Sequence, residues 1–348
     1  MANMRAAMWH GVGDIRVQEV ERPEPGPSEA LVRTRAAGIC GSDLHFLVGR
    51  CEPPRAYAGG HEMAGEIVEV GPKVRSLAPG DRVCVEPIVY CGECAACRRG
   101  ETNLCQRTDD YVSMTCHGGF AEYFAAPEMT LHKLPDAMSM AEGAMMEPFA
   151  VSMHALRLAR PAPGDTILVL GAGTIGLTAV VAARLAGAGQ VLCTAKYAHQ
   201  RTAAERLGAS EVLGPDAKAI EEAVKGATGG VGADVVVETV GGVSDTTELA
   251  LRAAREGGTI MLVGQYPQPI EVPLAVAIFR QERLIGSNCY AVIDGKRDFH
   301  VCMEATASGR ADLAPLVTHV FALEQIGEAM QTALDKSSGA IKVQIAYP

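Results

Sequence analysis

The sequence predicts an α/β protein in two parts, an irregular, mostly β portion and a doubly wound portion built on a parallel sheet. Its 348 residues exceed the roughly 250–300 at which a single hydrophobic core stops growing, so two cores are expected. Up to about residue 150, glycine and proline break the chain every few positions and leave only short β-type runs. From about Asp165 the texture changes to apolar runs alternating with helical stretches, the pattern of parallel strands joined by crossover helices.

The β-type runs of the first portion fall at 29–36, 66–70 and 82–85. The second portion reads strand 166–170, helix 175–186, strand 190–194, helix 200–207, then strands 233–239 and 259–263. These strands are near-continuous apolar runs, as burial on both faces requires. After about Gly286 the pattern turns mixed again, with a helix at 299–308 and an alternating, strand-like ending at 341–345. The last residues are therefore expected to rejoin the first portion. The expected domains are 1–152 together with 288–348, and 153–287.

A formal net charge of −10 leaves no basic face for a phosphate backbone, so nucleic acid is not an expected partner. The opening MANMRAAMWHGVG has no basic segment followed by an apolar one, and no window approaches the roughly 20 apolar residues that span a bilayer. A cytoplasmic protein with no membrane partner is expected. Of the 11 cysteines, Cys40, Cys51, Cys84, Cys116, Cys193, Cys289 and Cys302 stand apart, and most of them read as small buried hydrophobes.

The other four are clustered. Cys91-x-x-Cys94-x-x-Cys97, followed after seven residues by Cys105, puts four thiolates on one short loop. Four soft ligands near enough for a tetrahedron suit a closed, structural Zn²⁺ site. An iron–sulfur centre is the alternative, although its cysteines are usually spaced differently.

Gly171-Ala-Gly173-Thr174-Ile175-Gly176 follows an expected buried strand and opens an expected helix. In that setting the first glycine makes the tight turn, the second lets a pyrophosphate reach the backbone, and the third packs helix on strand. The helix N-terminus then faces the phosphates. About 20 residues further on, an acid normally binds the ribose 2′-hydroxyl. Here Ala195 stands in that place, with Lys196, His199 and Arg201 close behind. A small residue followed by cations favours NADP(H) over NAD. In the alternative, NAD binds without the carboxylate, and Lys196 and Arg201 are solvated surface charges.

Three further segments carry chemistry-bearing residues: Gly38-Ile-Cys40-Gly-Ser42-Asp43-Leu-His45, Gly60-His61-Glu62, and Glu147-Pro148. Each alone has a structural explanation. Together with the cysteine loop and the glycine turn, they resemble the zinc-dependent medium-chain dehydrogenase family over the whole chain. GxCGSDxH, GHExxGxxxxxG (60–71), PGDRV (79–83) and GGFAEY (118–123) stand in that family's order.

The resemblance implies a GroES-like irregular β-barrel catalytic domain, a Rossmann domain and two zinc ions per chain. It places the catalytic zinc on Cys40 and His61. The chain has Glu62 and Glu147 and no cysteine near 147, so it resembles the branch typified by sorbitol dehydrogenase, which uses a carboxylate as the remaining ligand. Whether Glu62 or Glu147 touches the metal, directly or through water, is open at this level. A zinc with an open position polarises an alcohol oxygen and so promotes hydride transfer to a nicotinamide.

By the same resemblance Ser42 takes the alcohol proton and His45 either relays it or contacts the cofactor. The implied substrate is a secondary alcohol or polyol with its ketone, and the implied assembly a homodimer or homotetramer. Phe46, Cys51, Tyr57 and Tyr111 are candidate pocket residues, while His10, His132, His154, His300 and His319 read as structural or surface residues. A zinc-free reductase of the same superfamily would lack Cys40, His61 and the cysteine loop. A binding module built on that loop would need basic and aromatic flanks, where this chain offers Arg98 and Arg99.

Overall fold

The computed structural model describes residues 2–53, 56–107, 112–114, 116–242 and 245–348; Tyr111 lies outside them. The chain forms two compact units, Met1–Glu147 with Asp294–Pro348, and Pro148–Ile293. The boundaries thus fall at 147/148 and 293/294, a few residues from the composition shifts that suggested 152 and 288.

Among the described residues, the first unit holds a seven-stranded sheet that runs Val317–Phe321, Lys342–Ala346, Glu29–Gly38, Glu62–Val70, Arg82–Val85, Leu131–Lys133, with Tyr123–Pro127 also paired to Glu29–Gly38. The terminal strand lies parallel to Val317–Phe321 and antiparallel to Glu29–Gly38. Its alternation of polar and apolar residues suggested a half-exposed strand, yet residues 342–345 are all buried. Both polar side chains are partnered inside: Gln344 donates to the Ala141 carbonyl at 2.9 Å, and Lys342 meets a carboxylate. A hairpin of Asn3–Gly11 and Asp14–Glu21 escaped the sequence reading because residues 6–9 are buried in succession, which hides the period of two. Trp9, Met63, Ile67, Phe120 and Phe124 are buried in this unit's core.

Among the described residues, the second unit holds a six-stranded parallel sheet in the order Glu211–Leu213, Gln190–Thr194, Thr166–Leu170, Ala233–Glu238, Ala254–Leu262, Arg283–Gly286. By chain order that is 3-2-1-4-5-6, the doubly wound arrangement whose switch point lies between its first and fourth strands. Every residue of Thr166–Leu170 is buried. The run read as 259–263 is the second half of a longer strand, Ala254–Leu262. The edge strands Glu211–Leu213 and Arg283–Gly286 have 3 and 4 residues, too few to show a period. Among the described residues, no helix is long and apolar enough to cross a membrane.

Candidate active site

The strand Thr166–Leu170 ends on Gly171, whose φ of +100° is a conformation that side chains other than glycine strain to adopt. A Cβ on Gly176 would sit 1.8 Å from the Gly171 carbonyl oxygen, so glycine there lets the helix Thr174–Leu185 close onto the turn. Gly173 differs. Its φ is −76°, and among the described residues no heavy atom lies within 4 Å of where its Cβ would be. Neither backbone strain nor packing within the chain calls for glycine at this N-cap, which also lacks a side-chain cap. A glycine that neither strain nor packing requires, at a helix start without a side-chain cap, fits a pyrophosphate approaching the turn closely.

At the end of the next strand Ala195 is buried, and Lys196 is exposed with Nζ 5.5 Å from the Tyr197 ring centroid. His199 stacks on Tyr197 with centroids 5.6 Å apart. Arg201 is not a free surface cation. Its guanidinium donates to the Val212 carbonyl on the neighbouring edge strand. The sequence could not show this, because the carbonyl comes from a strand too short to be read.

In the first unit Cys91, Cys94, Cys97 and Cys105 converge, with all four sulfurs within 4.8 Å of one another. Cys91 Sγ lies 3.9 Å from Cys97 Sγ, and Cys94 Sγ lies 4.0 Å from Cys105 Sγ. A tetrahedral zinc with Zn–S bonds near 2.3 Å separates its sulfurs by about 3.8 Å, so the set fits that ion. Backbone amides aim at the sulfurs: Cys94 N–H at Cys91 (3.3 Å), and Cys91 and Arg107 N–H at Cys105 (3.4 Å each). Amides of Cys97 and Gln106 draw the Cys94 thiol down to about 6. Burial pushes the Cys97 thiol the other way, up to about 12, so within the chain alone the amides favour thiolate at Cys94 and Cys105.

The second cluster is assembled from distant segments. Cys40 caps the short helix Gly41–Leu47, which carries Ser42 and His45, both half-buried. His61 and Glu62 lie at the start of Glu62–Val70, and the donor atoms of Cys40, His61 and Glu62 all lie within 4.8 Å of one another. Burial disfavours a protonated His61, but the hydrogen-bonded Cys40 thiolate, Asp43 and Glu147 outweigh it and hold the imidazole well above its usual value. A thiolate, an imidazole and a carboxylate ringed by further anions form a donor set that a divalent cation such as Zn²⁺ complements. Glu147 lies outside the three-residue cluster, yet near enough for its charge to act on His61 and on Lys342. Burial, with Arg50 adding to it, keeps His45 below its usual value. Phe46 packs edge-on against Trp9 (5.9 Å), Tyr57 edge-on against His117 (5.6 Å), and Cys51 is exposed rather than a small core residue.

Two residues of this centre escaped the sequence reading. Asp43, 2% exposed, accepts the Cys40 N–H at 2.8 Å, and burial pushes its carboxyl upward while His61 pulls it down. Lys342, 3% exposed, binds both Glu62 oxygens at 2.7 and 2.6 Å. The signal was present in each case, an acid inside a capping segment and a lysine in an otherwise apolar strand. Their partners were not. His132 and His300, read from sequence as structural or surface residues, share a specific network: buried Glu86 accepts from His132 Nε2 and Arg297 Nη1, both at 2.8 Å, and His300 meets His132 at 3.1 Å.

A parallel sheet in dinucleotide-binding order, a four-thiolate loop and a Cys–His–Glu cluster define a zinc-dependent dehydrogenase. Residues 26–136 match the alcohol dehydrogenase GroES-like domain and residues 174–308 the zinc-binding dehydrogenase domain. The chain is 35% identical to sorbitol dehydrogenase of Bacillus subtilis, covering 99% of this chain and 98% of the relative, and 36% identical to L-idonate 5-dehydrogenase of Vitis vinifera, covering 97% and 93%. The solved structure of a zinc-binding dehydrogenase from Sinorhizobium meliloti 1021, bound to NADP, superposes with a TM-score of 0.89 at 32% identity over the full length of both chains. The protein belongs to the zinc-dependent medium-chain alcohol dehydrogenase family, in its sorbitol and polyol branch. It is an oxidoreductase that uses zinc and a nicotinamide dinucleotide to act on small-molecule alcohols.

Proposed function

We propose that the protein oxidises a secondary alcohol or polyol, and reduces the corresponding ketone, with NADP(H), using Cys40, His61 and Glu62 to hold the catalytic zinc and Glu147 close by. The observation that carries this reading is the convergence of those three donor types within 4.8 Å. Held there, zinc would supply a Lewis acid for the alcohol oxygen, and a bound nicotinamide would supply the hydride acceptor. Ser42, on the first turn of the helix that Cys40 caps, is assigned to accept a hydrogen bond from the substrate hydroxyl and pass its proton on. His45, one turn later and held neutral near pH 7, is the next acceptor. Cys91, Cys94, Cys97 and Cys105 hold a second, structural zinc.

Gly171, Gly173 and Gly176 with the amides of Thr174 and Ile175 take the pyrophosphate. Ala195 leaves space for a 2′-phosphate, and exposed Lys196 supplies its charge; the NADP bound to the Sinorhizobium relative supports this choice. The commitment of Arg201 to Val212 favours NAD as the second reading. The test is absorbance at 340 nm with zinc-replete protein, a panel of polyols, vicinal diols and sugar alcohols, and both cofactors in parallel. Reduction of NADP with at least one panel member is expected. Reduction of neither cofactor sinks the proposal, and a preference for NAD that Lys196→Ala leaves unchanged overturns the assignment of Lys196.

The acidic chain supports small molecules rather than nucleic acid as ligands. Reduced thiolate sites support a cytoplasmic location. A homo-oligomer is supported by the second unit, where the edge strand Arg283–Gly286 adjoins the helix Leu274–Phe279, whose Ile278 and Phe279 are 72% and 87% exposed. Light scattering is expected to give more than one chain per particle, and Phe279→Asp fewer.

A further inference from the structure

We infer that Lys342 is a positioning residue for the metal centre, a brace that fixes the Glu62 carboxylate against the chain segment carrying Cys40. The inference rests on the proposal that Cys40, His61 and Glu62 hold zinc. An ammonium has three N–H donors, and three acceptors meet them here: Glu62 Oε1 at 2.7 Å, Glu62 Oε2 at 2.6 Å and the Ile39 carbonyl at 3.0 Å. Ile39 directly precedes Cys40. One buried nitrogen therefore ties the backbone beside one ligand to the side chain of another.

Strand register builds the brace. Gln344 lies opposite Gly38, and Gly38 lies opposite Glu62, so the carboxylate must cross the central strand to reach Lys342. It crosses at Gly38, where a Cβ would lie 2.0 Å from Glu62 Oε2 and 3.1 Å from its Cβ and Cδ. Glycine opens the passage and the ammonium holds its far end. A carboxylate at 1% exposure without that partner would be an uncompensated buried charge, which is strongly destabilising. With it, the ligand is aimed before any metal arrives, as outer-shell partners do for metal ligands generally. The four-cysteine loop, by contrast, is set by amides of the loop itself and of the residues just after it, so it serves as a control inside the same molecule.

The test replaces zinc by Co²⁺ and records the visible absorption bands and the rate of metal release to a chelator. The proteins compared are the wild type, Lys342→Met, Gly38→Ala, Glu62→Gln, and Glu62→Gln with Lys342→Met. Lys342→Met and Gly38→Ala are each expected to shift the bands of the Cys40 site and to speed its metal release by about 10–100-fold, with the four-cysteine site unchanged. In the Glu62→Gln background, loss of Lys342 is expected to add nothing, because it acts through that carboxylate. Wild-type bands and release in Lys342→Met overturn the brace, as does equal loss at both sites or a full extra effect in the double variant. Where Lys342→Met fails to fold, unchanged bands in Gly38→Ala overturn it. A wild-type protein that binds one Co²⁺ per chain, insensitive to Cys40→Ser, overturns the zinc reading itself; two Co²⁺ with Lys342→Met unaffected overturns the brace alone.

Discussion

The two cysteine-bearing clusters of the first unit are built in opposite ways. The loop from Cys91 to Cys105 closes within fifteen consecutive positions, and its thiolates take hydrogen bonds from neighbouring amides. The Cys40 cluster draws on a helix cap, the start of one strand and the last strand of the chain, and its charges are balanced across more than two hundred residues, from Glu62 to Lys342. A local site depends on spacing. A non-local site depends on register, and so on the fold of the whole unit.

This contrast breaks first, and most visibly, at the chemistry. Cys40→Ser is expected to lower kcat/KM by about a thousandfold or more, since the Lewis acid supplies several kcal/mol of transition-state stabilisation. Zinc content, measured by atomic absorption, should fall from two per chain to one while the melting temperature changes little. Near-normal turnover with one zinc would reverse the roles given to the two sites. Cys97→Ser is the counterpart: zinc again falls to one, but the expected loss is stability, several degrees in Tm by calorimetry, with residual turnover in the protein that stays folded.

The glycine turn of the second unit offers a finer pair. Gly176→Ala forces a Cβ toward a backbone oxygen 1.8 Å away and is expected to cost about 1–3 kcal/mol in denaturant unfolding. Gly173→Ala meets open space, so stability should hold while cofactor binding weakens by about tenfold, read by fluorescence titration with NADPH. Equal destabilisation by both would remove the argument that Gly173 serves a ligand.

The smallest expected effect is on pH. Burial holds His117 and His300 below 6.5, so between that value and their folded pKa values the unfolded chain binds more protons. Stability from these groups is therefore complete above about pH 6.5 and declines as the pH falls through the folded values. His117 Nδ1 accepts the Ala58 N–H at 3.0 Å, which requires the neutral ring. His117→Gln, which retains an acceptor, should flatten part of the Tm decline between pH 7 and 5 by a few degrees at most. An unchanged slope would assign that decline to other groups.

What the residues spelled out on their own were features with a local physical cause. Thiolate spacing sets a zinc tetrahedron, a glycine turn between apolar strand and helix sets a phosphate cradle, and strands buried on both faces read as unbroken apolar runs. Short edge strands carried too few residues for a period, and the hairpin at the start hid its period under continuous burial. Tertiary structure alone decided that Arg201 is committed to a carbonyl, that Asp43 acts on His61, and that a lysine in the final strand holds Glu62. Each of these is a pairing of charges or polar groups brought together across strands or long loops. Burial makes such a pairing strong, but its partner is set by register, which no stretch of sequence around either residue contains.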